Sequence, residues 1–305
     1  MEDVTDTVYR QLLARWAPPD VFYTEFVNVD GMCSPGRDAV IHRLRHTSTE
    51  HPLVAQIWGL KPKNFERAAR EIGEMGFDGI DLNMGCPVKK VIKTGACSAL
   101  IDNPTLAGEM ILATKQGAGD MPVSVKTRIG FKKRATLEWT AFLLEYNLAA
   151  LIVHGRTTKN GAGTPADWDE IAKVVGLRDE MNIQTRIIGN GDITTPEQLE
   201  NAADTYKVDG VMIGRGVLHD PLVFRNGTAA GVRDLEIPER LAMMKEHLAL
   251  FRETWGNDKN VNIMKKFART YINGFEGAGN FRNRLMSAHT YDEMFAILES
   301  SSKEW

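Results

Sequence analysis

Short, continuously apolar runs rich in β-branched residues recur along the chain, each followed by a stretch whose apolar positions fall at helical spacing. The runs are Val21–Phe26, Leu53–Ile57, Gly79–Asn83, Val123–Lys126, Leu151–His154, Arg186–Gly189 and Gly210–Ile213. Runs that are apolar throughout, rather than alternating, predict parallel strands covered on both faces. The intervening helices carry start and stop signals. Phe65, Ala68, Ala69 and Ile72 share one face and Gly76 follows as a stop. Asn103-Pro104 opens the next helix and Gly117 is expected to close it, while Thr195-Pro196-Glu197-Gln198 reads as a capping box.

Repeated strand–helix units allow an open doubly wound sheet or a closed barrel. The reading adopted is a TIM (β/α)8 barrel lacking its first strand, because the helical pattern Thr5–Trp16 precedes the first of only seven strands and implies an eighth upstream of Met1. From about Glu236 the alternation stops. Leu241, Met244, Leu248 and Phe251, then Ile263, Phe267 and Tyr271, then Met294, Ile297 and Leu298 read as helices. The expected domains are therefore a barrel over 1–235 and a C-terminal helical domain over 236–305.

The 305 residues are 43% hydrophobic and 25% charged, which excludes disorder and a fibrous repeat. No run reaches the ~20 apolar residues of a membrane span, and the start Met1-Glu2-Asp3-Val4-Thr5-Asp6 has no secretory pattern. A formal net charge of −3 argues against coating nucleic acid by bulk charge but leaves room for local basic surfaces. Cys33, Cys86 and Cys97 form no CxxC pair and no metal-ligand cluster is apparent, so a reducing, cytoplasmic setting without a metal is expected.

Chemistry in a parallel barrel gathers at the C-terminal strand ends. Those ends read Gln56, Asn83 with Cys86, Lys126 with Arg128, His154 with Arg156, Asn190 with Asp192, and Gly214-Arg215. Six polar ends in succession are hard to ascribe to solvation. Gly189-Asn190-Gly191-Asp192 and Ile213-Gly214-Arg215-Gly216 follow the last two strands, the usual phosphate position of such barrels. Gly191, Gly214 and Arg215 are thus candidates to anchor a phosphate-bearing cofactor. The long stretch Met84–Asp102 presents Cys86 between Gly85 and Pro87. Its thiol could act as proton donor or nucleophile, and Lys89, Lys90 and Lys93 would lower its pKa. Cys97, among small residues, reads as packing.

The motifs Asp81-Leu82-Asn83-Met84-Gly85-Cys86-Pro87, Val125-Lys126-Thr127-Arg128-Ile129-Gly130, His154-Gly155-Arg156-Thr157, Asn190-Gly191-Asp192-Ile193 and Ile213-Gly214-Arg215-Gly216, in this order, resemble the tRNA-dihydrouridine synthase family, as does the opening Met1–Asp6. The resemblance implies an FMN-dependent barrel, a helical domain that grips tRNA, and NADPH-driven reduction of uridines to 5,6-dihydrouridine. Cys86 matches the family's catalytic cysteine. Met1, Gln56, Lys126, His154, Asn190, Gly191, Asp192, Gly214 and Arg215 match positions that hold FMN. Asn83 matches a residue on the target base, and Arg128 and Arg156 are taken as further substrate contacts. Family members carry a strand ending in proline before the residue equivalent to Met1, and a small residue is common at Cys97. On this reading flavin N5 delivers hydride to C6, Cys86 gives a proton to C5, and Lys126 faces charge at the flavin N1/O2 edge.

A uridine must leave its stack to reach a barrel mouth, so the tRNA must be held by its backbone. Lys126, Arg128, Lys132, Lys133 and Arg134 form an acid-free run, and Lys265, Lys266, Arg269, Arg282 and Arg284 enrich the tail. Both are candidate tRNA surfaces, and no obligate protein partner is implied. Two alternatives stay open at this point: an FMN barrel reductase of a free small molecule, and a non-catalytic tRNA-binding relative without flavin.

Overall fold

The computed structural model describes residues 1–225 and 231–301. Eight short strands form one sheet: β1 Phe22–Tyr23, β2 Val27–Asn28, β3 Leu53–Trp58, β4 Gly79–Asn83, β5 Val123–Arg128, β6 Ala150–His154, β7 Arg186–Asn190 and β8 Gly210–Met212. Every ladder is parallel, in the order β1-β3-β4-β5-β6-β7-β8, and β2 also pairs with β3.

The first expected strand, Val21–Phe26, is thus two pieces in one position. Tyr23 lies opposite Val54 and Val27 opposite Ile57, so four residues on one side match three on the other, as in a bulge. The Thr24 hydroxyl accepts the Gln56 N–H at 3.0 Å inside this bulge. Among the described residues no ladder joins β8 to β1, so the sheet is an open barrel of seven strand positions.

The helices follow from their apolar faces. In Pro62–Glu74 the buried residues are Phe65, Ala68, Ala69 and Ile72, and Gly76 follows with φ +82°. Burial of Phe65 and Ile72 stabilises by about 1.5–3 kcal/mol each. Asn103 caps the helix Pro104–Ala118 by accepting the Leu106 N–H at 3.3 Å. Gly117 does not close that helix, contrary to expectation; Gly119, with φ +60°, follows its last turn. Gly117 instead lets the two helices touch, since a Cβ there would stand 2.1 Å from the Glu66 carbonyl oxygen. The stretch after β4 is also less irregular than its composition implies, with short helical turns at Lys89–Ile92 and Cys97–Asp102.

The chain divides into two compact units. One comprises Met1–Thr7, Asp20–Ile193 and Gln198–Gly214, and the other Val8–Pro19, Thr194–Glu197 and Arg215–Trp305. These bounds differ from a division between 235 and 236, chiefly because the helix Thr7–Trp16 falls mostly in the second unit. Its buried face explains this. Tyr9 stacks on His247 at 5.2 Å and tilts against Phe267 at 5.0 Å, and its hydroxyl donates to the Val217 carbonyl at 2.6 Å. A helix without a preceding strand is therefore part of the tail's core. Leu241, Met244, Leu248 and Phe251 are buried on Ile237–Trp255, as helical spacing requires.

Candidate active site

Register and side-chain alternation place the polar strand residues in two layers on one face of the sheet. Gln56, Asp81 and Ser124 are register partners across β3, β4 and β5, and Asn83 pairs with Lys126 one step closer to the C-terminal ends. The layers are joined by hydrogen bonds. The Asp81 carboxylate accepts from the Ser124 hydroxyl at 2.7 Å and from Gln56 Nε2 at 2.8 Å. Gln56 Oε1 accepts from Asn83 Nδ2 at 3.0 Å. Burial pushes the Asp81 acid up to about 6, opposed by the hydrogen bonds from Ser124 and Gln56 and by the Lys126 charge.

Asn83 closes the chain onto the cysteine. Its Oδ1 accepts the backbone N–H groups of Gly85 at 3.1 Å and Cys86 at 2.9 Å. The Cys86 carbonyl is fixed from the other side by the Ser98 hydroxyl at 2.8 Å, and the Gly85 carbonyl accepts Arg128 Nε at 2.6 Å. The Cys86 thiol is lowered from an ordinary 9.0 to about 6. The causes are, first, a hydrogen bond from the Cys97 side chain, then the Val88 N–H and the Arg128 charge, opposed by burial and Glu2. The lowering attributed to Lys89, Lys90 and Lys93 thus has another source. Cys97, read as packing, is the thiol partner of Cys86; its hydrogen bond to Cys86 and burial push its own pKa well up. Its backbone is left-handed, at φ +54°, which accounts for small residues suiting the position.

Lys126 donates to Asn190 Oδ1 at 2.7 Å, and Asn190 Nδ2 donates to the Met212 carbonyl at 2.7 Å. Lys126 therefore reaches from β5 to β7 and hydrogen-bonds an uncharged amide rather than a carboxylate. Burial and the nearby Arg128 lower its pKa to about 8, against the opposing pull of Asp81. His154 ends β6 beside Asn190, and Arg156 Nη1 lies 3.3 Å from its Nε2. Gly191, at φ +138°, leaves no room for a side chain, since a Cβ would meet Ala166 Cβ at 2.5 Å and His154 Cδ2 at 3.3 Å. Gly214 is the opposite case: among the described residues nothing lies within 4 Å of where its Cβ would be.

The other predicted residues have scaffold contacts. Arg156 is only 5% exposed and grips Asp192 with Nη2 at 2.7 and 2.6 Å. Asp192, at φ +59°, also accepts the Ala166 N–H at 2.8 Å. Arg128, besides Gly85, reaches the Thr157 carbonyl at 3.4 Å. The Met1 ammonium donates to Thr5 Oγ1 at 2.5 Å. Arg215 is exposed and begins the second unit. The acid-free run is not one surface: Lys126 and Arg128 are drawn into the site, and Arg134 pairs with Asp167 at 2.6 Å. In the tail, Lys265 donates to the Met286 carbonyl at 2.7 Å, and Arg282 to that of Ile272 at 2.7 Å.

Sequence reasoning passed over Asp81 as a site residue, although a carboxylate in a wholly buried strand must have partners. It also passed over Trp168, whose Nε1 donates to the Gly191 carbonyl at 3.0 Å and whose ring requires glycine at 189. No group of three or more potential metal ligands occurs among the described residues, and none of their helices is long and apolar enough to cross a membrane. A groove at the opposite strand ends, lined by Lys115, Asn147 and Gln184 among others, holds none of the predicted residues.

Comparison with known proteins gives concordant results. A probable tRNA-dihydrouridine synthase of Staphylococcus aureus is 40% identical over 302 residues, covering 98% of this chain and 90% of the relative. A probable tRNA-dihydrouridine synthase 2 of Bacillus subtilis is 38% identical over 308 residues, covering 100% and 93%. Among solved structures, a 2-naphthoyl-CoA reductase superposes with a TM-score of 0.54 at 11% identity, over 72% of this chain and 46% of that one. That likeness concerns the fold alone. The family model for dihydrouridine synthase (Dus) matches residues 1–304, and the chain belongs to that family.

Proposed function

We propose that the protein reduces specific uridines of tRNA to 5,6-dihydrouridine, with FMN as cofactor and NADPH as reductant. The observation that carries the reading is the join between β4 and β5. Asn83, which holds the Cys86 N–H, is the register partner of Lys126, so the cysteine loop and a half-buried lysine are anchored on adjacent strands at their C-terminal ends.

The donor set suits an anionic ring and phosphate. Lys126 is a half-buried cation without a carboxylate partner in hydrogen-bond contact, and Gly214 leaves open the space a side chain would fill. Lys126 would face the ring edge that carries negative charge, with Asn190 holding the ammonium in place. Gly191 and Gly214, with Arg215 next in the chain, are our candidates for the phosphate, and His154, Gln56, Asp192 and Met1 for the surrounding wall. Gln56 and Asp192 would act through the groups they hold, since the Gln56 amide is engaged at both ends and Asp192 is paired with Arg156. Bound FMN supplies a hydride for C6 of the uracil ring.

Cys86 would hold the proton for C5. Its lowered pKa leaves it largely thiolate at neutral pH in the open site, and an uncharged base packed against it removes water and favours the neutral thiol. Arg128 and Arg156 would shape the mouth that the base enters. The tail, with Lys265, Lys266 and Arg269, would contact the tRNA backbone. The setting expected for this chemistry is the cytoplasm.

The test is reconstitution. Purified protein should carry or take up FMN, identified by absorbance and by mass of the released cofactor. With NADPH it should form dihydrouridine in tRNA lacking the modification and not in free uracil. A protein that takes up no flavin, or reduces free uracil equally well, overturns the reading.

A further inference from the structure

A carboxylate buried two residues before Asn83 has no place in the chemistry above, yet its hydrogen bonds lead to the cysteine. We propose that Asp81 is a positioning residue: by fixing the polarity of two successive amides, Gln56 and Asn83, it holds the Cys86 loop in its working conformation.

The direction of the relay follows from which groups can donate and which can only accept. An amide side chain can turn over and exchange its oxygen for its nitrogen, and nothing in its shape prevents this. A carboxylate can only accept. Asp81 is 0% exposed, and its two oxygens take the Ser124 hydroxyl and Gln56 Nε2. Gln56 must therefore turn its NH2 toward Asp81 and its oxygen away. That oxygen faces Asn83, which must answer with its own NH2, at 3.0 Å. Asn83 is left with its oxygen toward the loop, where it accepts the N–H groups of Gly85 and Cys86 together. The Gln56 backbone is pinned separately by Thr24, so the relay pivots on side chains alone.

Reversal at any link would propagate. With Asn83 turned over, its NH2 would confront two backbone N–H donors, and the loop would have to shift. Cys86 would then leave the Cys97 side chain, the Val88 N–H and Arg128, the groups that favour its thiolate. Burial raises the Asp81 acid only to about 6, so it is ionised at neutral pH, as an acceptor-only role needs. The link to catalysis rests on the reading of Cys86 given above, but the test does not.

The experiment uses Asp81→Asn, the double variant Asp81→Asn with Gln56→Glu, and the parent protein, all in a Cys33→Ser background. Alkylation of Cys86 by iodoacetamide is followed against pH by mass spectrometry of its peptide, with thermal unfolding as a check on folding. An amide at position 81 can donate or accept, so the single variant loses the directing charge. Its Cys86 should react at least tenfold more slowly at pH 7 and titrate at higher pH. In the double variant the carboxylate placed at position 56 is acceptor-only toward both the new amide at position 81 and Asn83, which restores the direction of the relay. Its Cys86 profile should return to within threefold of the parent. A folded Asp81→Asn protein with the parent's alkylation profile overturns the proposal. So does a double variant no better than the single one in folding or in Cys86 reactivity. If no variant or parent forms dihydrouridine, the functional reading fails while the thiol comparison still decides the role of Asp81.

Discussion

Cys97 controls the acidity of Cys86, and removing its thiol should be visible without any substrate. The Cys97 hydrogen bond is the largest influence holding Cys86 at about 6, with the Val88 N–H and Arg128 adding to it against burial and Glu2. A hydrogen bond to a charged acceptor contributes about 1.5–3 kcal/mol. At about 1.36 kcal/mol per pKa unit, Cys97→Ala should raise the Cys86 midpoint by about one to two units, to roughly 7–8. The thiolate fraction at pH 7 would fall from about nine-tenths to roughly a quarter for a midpoint of about 7.5, with a matching fourfold loss of alkylation rate. Cys97→Ser retains a donor and should keep the midpoint within about half a unit of the parent. The assay is the iodoacetamide rate at Cys86 between pH 5 and 10, with Cys33→Ser removing the other half-buried thiol. A parent midpoint near the ordinary 9.0, or a Cys97→Ala midpoint still near 6, would refute the reasoning.

Four further outcomes concern glycines and surface charge. Gly117→Ala must push a Cβ to within 2.1 Å of a backbone oxygen, so urea unfolding should show a loss of about 1–3 kcal/mol or more. Gly176→Ala, in the helix Trp168–Glu180 with nothing among the described residues within 4 Å of the new Cβ, should instead gain about 0.5–1 kcal/mol. Gly214→Ala should unfold like the parent yet bind FMN at least tenfold more weakly by fluorescence titration, because its Cβ enters open space at the candidate phosphate position. Reversing Lys265, Lys266 and Arg269 to glutamate should weaken tRNA binding and flatten its salt dependence by about one unit of slope per lost phosphate contact.

Much of the barrel was legible because a buried parallel strand is apolar on both faces and therefore announces its length. Six of the seven runs coincide with strands to within two residues at each end. The exception, Val21–Phe26, fails for a reason that apolarity does not encode: a bulge lets Thr24 turn its hydroxyl to Gln56. Gly117 misled because glycine ends helices by conformation but also permits close packing, and only the neighbouring Glu66 distinguishes the two. The site was legible as a set of strand ends, whereas its wiring was not. Register between strands decides that Asp81 meets Gln56 and Ser124, and no local pattern contains it. Cys97 lies eleven positions from Cys86, yet the turn that returns it depends on the left-handed backbone at Cys97 itself. Of the basic run, Lys132, Lys133 and Arg134 are exposed while Lys126 and Arg128 turn into the site, a division that charge in sequence does not encode.

The central claim is that Cys86 supplies the proton for C5 of a tRNA uridine. Single-turnover reduction of tRNA by the FMN-loaded enzyme, compared between the parent and Cys86→Ala, tests it most directly. General-acid catalysis contributes about 10²–10⁴-fold, so the variant should form dihydrouridine at least about 100-fold more slowly while NADPH still reduces its flavin within about threefold of the parent rate. Dihydrouridine formed by Cys86→Ala at the parent rate would contradict the account.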